Sequence, residues 1–264
     1  MRLRHELKAI YTIWLRDVLR FSRDRARILS SMGQPVLFLI IFGVGLSPAI
    51  SGLGGGDLDY TSFLFPGIVA MAVLFTAVFS AVSIVWDREF GFLKEVLVAP
   101  VSRVSVALGK VAGGSTVAMF QGVLILILAP VLGIRLTPAQ VIVLLLLMWL
   151  TAATMTSLGV LFAARTRSME GFHMIINFVM MPVFFLSGAF FPLRGLPLWM
   201  EWLARLDPMT YGVDPIRQVL LKHQVPESVL ATIRLYPIAV DVAVLIAFWM
   251  AFLIPAVWAF ARAE

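Results

Sequence analysis

The residue types that most often do chemistry are scarce and scattered. The three histidines, His5, His173 and His223, are far apart in sequence, and there is no cysteine. Thiol catalysis, disulfides and cysteine metal sites are thereby excluded, and a histidine metal centre is not expected. No H-E-x-x-H or G-x-S-x-G pattern occurs. Gly109-Lys110 lacks the upstream glycine and the following Ser/Thr of a nucleotide-binding phosphate loop. Long apolar runs hold almost no ionisable residue. Asp241 is the exception, near the outer end of its run, where water or Arg234 is the expected partner. Ion-coupled carriers keep functional charges at membrane depth, so that class is disfavoured. Uncharged Gln121, Asn177, Thr151, Thr154, Thr156 and Ser157 remain, as expected interhelical hydrogen bonds, with Asn177 kept as a pathway candidate.

One segment has the pattern of a docking element instead. In Asp87–Lys110, Phe90, Leu93 and Leu97 fall on one face of a short helix, with Glu89, Lys94 and Glu95 off that face. Pro100 stops this helix and Ser102 caps the next. A short helix held between two spans suits a groove on another protein. The pattern fits a helix lying on the bilayer equally well.

These residues must be positioned by a membrane domain. Of 264 residues, 61% are hydrophobic and 14% charged, against about 45–50% and about 25% in soluble domains. The net charge of +6 suits a basic face on anionic lipid rather than nucleic acid. Six runs free of Asp, Glu, Lys and Arg are long enough to span: 28–56, 60–86, 111–134, 136–164, 171–193 and 242–261, the last starting near Pro237. The expected fold is an all-α polytopic membrane protein of six transmembrane helices, forming one domain over 1–264. An interfacial helix occupies 1–30, spans one to five 31–193 with an inner loop at 87–110, an outer segment 194–236, and span six with its tail 237–264. The first 27 residues are charged throughout, unlike a cleavable signal peptide.

With the N-terminus inside, the inner segments carry fifteen Lys/Arg and the outer ones six, so both termini are expected in the cytoplasm. In the N-terminal stretch, Leu3, Leu7, Ile10, Trp14, Val18 and Phe21 share one helical face. Arg16, Arg20, Arg23 and Arg27 lie opposite. This is the pattern of a helix in the inner interface, and Ser30–Pro35 is expected to bend the chain into span one. Outside, Trp199, Trp202, Leu203 and Leu206 form one helical face, with Glu201 and Arg205 paired at i, i+4. Asp214-Pro215 reads as the N-cap and first turn of a second short helix, with Asp214 and Arg217 as a local pair. Phe184, Phe185, Phe190 and Phe191 cluster after Pro182.

The order of these elements, Asp87-Arg88-Glu89 through Pro100-Val101-Ser102-Arg103, and Leu186-Ser187-Gly188-Ala189-Phe190-Phe191-Pro192-Leu193 resemble the permease subunit of type-2 ABC exporters. So do Asp207-Pro208-Met209-Thr210-Tyr211 and Asp214-Pro215-Ile216-Arg217. The likeness is to the drug-resistance and nodulation-factor branch. It implies two copies of this chain with two copies of a separate ABC ATPase, which binds the ATP and Mg. Glu89, Phe90, Phe92, Leu93, Glu95, Leu97 and Pro100 would contact that ATPase, and the N-terminal helix would move with them. Spans one and five would line the path, with Asn177, Phe190, Phe191, Trp199, Trp202 and Tyr211 as pathway and exit-gate candidates. The cargo would be an amphipathic drug, lipid or glycolipid, or a lipid-linked polysaccharide. A stand-alone secondary transporter lacks its intramembrane charges, and a membrane enzyme its catalytic constellation.

Overall fold

A computed structural model describes residues 2–46, 60–89, 102–166 and 168–262. The described residues form helices joined by turns, with no strand among them. Helix α1 (Arg2–Arg23) leads into α2 (Arg25–Phe38), which continues as a π-helical stretch, Leu39–Val44. Next come α3 (Tyr60–Ser80) and α4 (Val82–Glu89), which together make one span, and α5 (Arg103–Leu126) with a 3-10 turn, Ala129–Leu132. Then follow α6 (Pro138–Arg165), α7 (Met169–Leu186), α8 (Leu198–Leu206), α9 (Thr210–Leu221), α10 (Glu227–Ile233) and α11 (Ile238–Arg262). Among the described residues, five helical stretches are long and apolar enough to cross a membrane. The bent pair 4–23 and 28–44 makes a sixth if counted as one span. The protein is a polytopic all-α membrane protein.

Local sequence fixes the ends of these helices. Ser102 caps α5 by accepting the Ser105 N–H. Thr137 and Gln140 form a reciprocal capping box at α6, with Pro138 in its first turn. Ser168 accepts the Gly171 N–H at the start of α7.

Helix α3 is apolar on all sides and central. It packs on α5, α6, α9 and α2, and from Phe63 to Leu74 every residue is buried. Helix α7 is peripheral, with Met174, Phe178 and Met181 exposed. Helix α1 lies along α5. Gly109 and Gly113 make that approach possible, since a Cβ on them would stand 2.8 Å from Ile13 Cβ and 3.0 Å from Asp17 Cβ.

Several expectations are corrected. The bend into span one falls at Asp24, where the axes of 4–23 and 28–44 meet at 72°, while Ser30–Pro35 lie inside α2. Asp24 has no helical backbone, whereas Pro35 is accommodated within a helix. The apolar side of α1 packs on α5 through Ile13 and Trp14 instead of lying wholly on lipid, because small residues on α5 admit it. The outer segment holds three short helices, not two. Asp214 and Pro215 sit within α9, whose first residue is Thr210. Of the expected interhelical hydrogen bonds, Gln121 accepts from Ser31 of α2 at 3.0 Å and Thr154 reaches Leu245 O of α11 at 3.4 Å, whereas Thr151 and Ser157 bond to the carbonyls four residues back in their own helix. Asp241 is fully buried, with Gln218 Nε2 3.4 Å from its Oδ2, while Arg234 pairs with Glu227.

Candidate functional site: the ion-paired anchor and the aromatic cavity

A charged anchor is built at the end of span two. Lys110 of α5 is almost fully buried. Its Nζ stands 2.9 Å from Ser83 Oγ and 3.4 Å from both Asp17 Oδ2 and Asp87 Oδ2. Arg16 Nη2 is 3.4 Å from the same Asp87 oxygen. Two carboxylates and two cations from α1, α4 and α5 therefore share one site, as buried charge requires.

The next two residues are held elsewhere. Arg88 donates to the carbonyls of Thr166 (2.7 Å), Ala164 (3.2 Å) and Ala163 (3.3 Å) at the end of α6. Glu89 Oε2 accepts the Met169 N–H at 3.2 Å, in the first turn of α7. At the other end of the inner loop, Glu6 of α1 accepts from Ser102 N (3.2 Å) and Ser102 Oγ (2.7 Å). The Ser105 and Ser102 hydroxyls hold the Glu6 carboxyl below its usual range. Midway along α1, Trp14 Nε1 donates to Thr116 Oγ1 at 3.0 Å.

Beside this anchor, a crevice of about 330 Å³ is lined by Asp17, Arg20, Phe21, Phe79, Ser83 and Trp86. A second, of about 190 Å³, shares Phe21 and Phe79 and adds Ser31, Gln34, Met71 and Phe75. Both crevices mix polar groups with aromatic rings, and Phe21 and Phe79 lie in the lining of each.

At the opposite end of span two, Phe190 is buried against Phe184, Phe185, Phe38 and Phe42, with ring centroids 4.8 to 5.8 Å apart. A cavity of about 550 Å³ opens there, lined by Phe42, Tyr60, Phe63, Phe185, Phe190 and Phe191. The turn behind it depends on Gly188, at φ +76°, and on Gly67 of α3, where a Cβ would meet Ala189 O at 2.5 Å. Arg217 of α9 secures the same turn, donating to Gly188 O at 2.7 Å.

The expected site residues thus divide. Phe190 and Phe191 meet at the aromatic cavity. Trp199 and Trp202 are exposed on α8 and do not line it; Arg205 lies over the Trp202 ring at 5.4 Å. Tyr211 is buried, stacked on Tyr236, and donates its hydroxyl to Arg205 O. Asn177 is exposed on α7. Trp14 is half-buried, Arg16 joins the ion cluster, and Arg20 and Arg23 are exposed; Arg27 lies in α2. Of the docking segment, Glu89 is placed. Phe90, Phe92, Leu93, Glu95, Leu97 and Pro100 lie outside the described residues. Asp17, Asp87 and Lys110 were not foreseen as a cluster, and the signal for Lys110 was a lone cation in the small-residue run Gly109–Gly114. Among the described residues, no three His, Asp or Glu side chains come together as a metal site would require.

The family model for ABC-2 type transporters matches residues 8–221, and the chain belongs to that family. It is the membrane subunit of an ABC transporter. A putative transport permease, ycf38, of Cyanophora paradoxa is 29% identical over 213 residues, 80% of this chain and 73% of the relative. Nodulation protein J of Rhizobium leguminosarum bv. trifolii is 29% identical over 216 residues, 81% of each chain. The inner membrane transport permease YadH of Escherichia coli (strain K12) is 28% identical over 214 residues, 79% and 81%.

Proposed function

We propose that this chain is the permease of an ATP-driven exporter, working as two copies with two copies of a separate ABC ATPase in the cytoplasmic membrane. Both termini face the cytoplasm, as the Lys/Arg distribution favours. The cargo is an amphipathic drug, lipid or glycolipid, moved outward.

The observation that carries this reading is the inner loop of an ABC-2 family chain anchored at both ends, by Asp87–Glu89 and by Ser102. An anchored loop delivers movement to the spans, whereas a free one dissipates it. ATP is bound and hydrolysed on the partner, against which Glu89–Pro100 lies. ATP-driven closure there moves the loop and α1, and the two permease halves shift to release cargo outward. Asn177 supports the second copy. An amide facing hydrocarbon is costly, and a facing copy across the path supplies it with polar surroundings. The paired crevices, each lined by polar groups beside aromatic rings, fit an amphipathic cargo.

The test is copurification with the cognate ATPase. Leu93→Ala removes an apolar anchor from the loop and is expected to weaken the complex by about 2 kcal/mol, roughly thirtyfold. Membrane insertion stays normal. Wild-type yield of the complex in this variant rules out the assigned contact.

A further inference from the structure

Span two ends in three consecutive charged residues, and each is gripped by different elements. Asp87 faces Arg16 of α1 and Lys110 of α5. Arg88 faces the last carbonyls of α6 and Thr166 beyond them. Glu89 faces the first turn of α7. Successive side chains on a helix point about 100° apart, so three in a row reach three sides. Each contact is chemically matched: a carboxylate on two cations, a guanidinium on a helix C-terminus, a carboxylate on a helix N-terminus.

We infer that Asp87, Arg88 and Glu89 are positioning residues of the transport cycle, joining the partner-contacting loop to α1, α5, α6 and α7 at once. The inference rests on the exporter reading above. It assigns the Glu89 carboxylate to its own chain, in place of the contact with the ATPase that the family resemblance implied. A displacement of the loop start cannot be taken up by α4 alone, because it must break or carry the Arg88 bonds to α6 and the Glu89 bond to α7. Spans three, four and five therefore move with the loop, and α1 follows at both ends, through Arg16 and Asp17 at one and Glu6 on Ser102 at the other.

Two measurements test this. The first uses the permease alone in micelles and follows amide hydrogen exchange over residues 168–173. Glu89→Leu removes the acceptor of the Met169 N–H and is expected to speed exchange there about tenfold. Glu89→Gln retains an acceptor oxygen and leaves exchange near the wild-type rate. Equal exchange in the two variants overturns the inference, whatever the ATPase does.

The second uses the complex with the ATPase, spin-labelled through Tyr11→Cys and Glu170→Cys on exposed positions of α1 and α7; the chain has no native cysteine. The wild-type background is expected to show an ATP-dependent change in label distance. Arg88→Met should abolish that change while the ATPase still copurifies, and Arg88→Lys should restore part of it. Glu89→Gln should keep both. Retained distance change in Arg88→Met overturns the inference. So does loss of the ATPase in Glu89→Gln to the same extent as in Glu89→Lys, because the charge would then face the partner. If the exchange result holds but the wild-type complex shows no ATP-dependent change, the exporter reading fails and the three residues are a static clamp.

Discussion

The guanidinium of Arg217 lies 4.1 Å from the centroid of the Phe63 ring, with its Nη2 2.7 Å from Gly188 O. One buried cation thus joins α9, span two and the turn that follows span five. Burial lowers its pKa to about 10, with Asp214 opposing the shift. Arg217→Met leaves the carbonyls of Gly188 and Ala189 without this donor and removes the cation from the ring. A loss of about 2–4 kcal/mol in denaturant unfolding in micelles is expected, with Arg217→Lys intermediate. A loss below about 0.5 kcal/mol means the turn is held by packing alone.

Asp207, between α8 and α9, gives a pH signature. It is buried; its Oδ1 accepts the Met209 N–H at 2.8 Å and its Oδ2 has no partner. Burial raises its pKa well above the ordinary carboxyl value. The folded state therefore binds the proton more tightly than the unfolded chain, and stability falls as pH rises through the folded pKa. Asp207→Asn keeps the acceptor for Met209 and is expected to flatten this slope in stability measured against pH. An unchanged slope assigns it to other groups.

Gly67→Ala tests the close approach of span two to the turn. The added Cβ meets backbone atoms of Ala189, at 2.5 Å from its oxygen and 2.7 Å from its Cα, so relief requires moving the chain. A cost of about 1–3 kcal/mol is expected. Gly33→Ala on α2, where nothing lies within 4 Å, is the control, neutral or stabilising by about 0.5–1 kcal/mol. Equal effects at the two positions contradict the packing.

Topology is checked in the cysteine-free chain. Lys222→Cys, exposed just after α9, should react with an impermeant thiol reagent in intact cells. Tyr11→Cys on α1 should react only after permeabilisation. The reverse pattern inverts the orientation that the Lys/Arg count gives.

The spans were legible because the membrane imposes a length and a composition that show in any window of sequence. Local caps were legible because partner and cap lie three residues apart, and Ser102 sits where its spacing placed it. What failed was long-range. Asp214-Pro215 has the form of a helix start, yet Asp214 Oδ2 accepts the N–H groups of Leu235 and Tyr236, more than twenty residues on, and α9 runs through the proline. Helix α10 has only a short signal, Pro226 followed by Glu227, set in a polar stretch. Asp17, Asp87 and Lys110 are each unremarkable in their own segments. Only the close packing of α1 on α5, at Gly109 and Gly113, brings them together.

The same packing sets an order of events in biosynthesis. Helix α1 emerges from the ribosome well before its partners: Trp14 waits for Thr116, 102 residues on, and Glu6 for Ser102, 96 residues on. At about 5–20 residues per second, that interval is roughly 5–20 s of translation. Through it, α1 has no groove to enter, and the membrane surface is the one place where Leu7, Ile10 and Trp14 can leave water. The bilayer therefore acts as a temporary holder for a helix whose final seat is another helix, and the ribosome must deliver span three before α1 can settle.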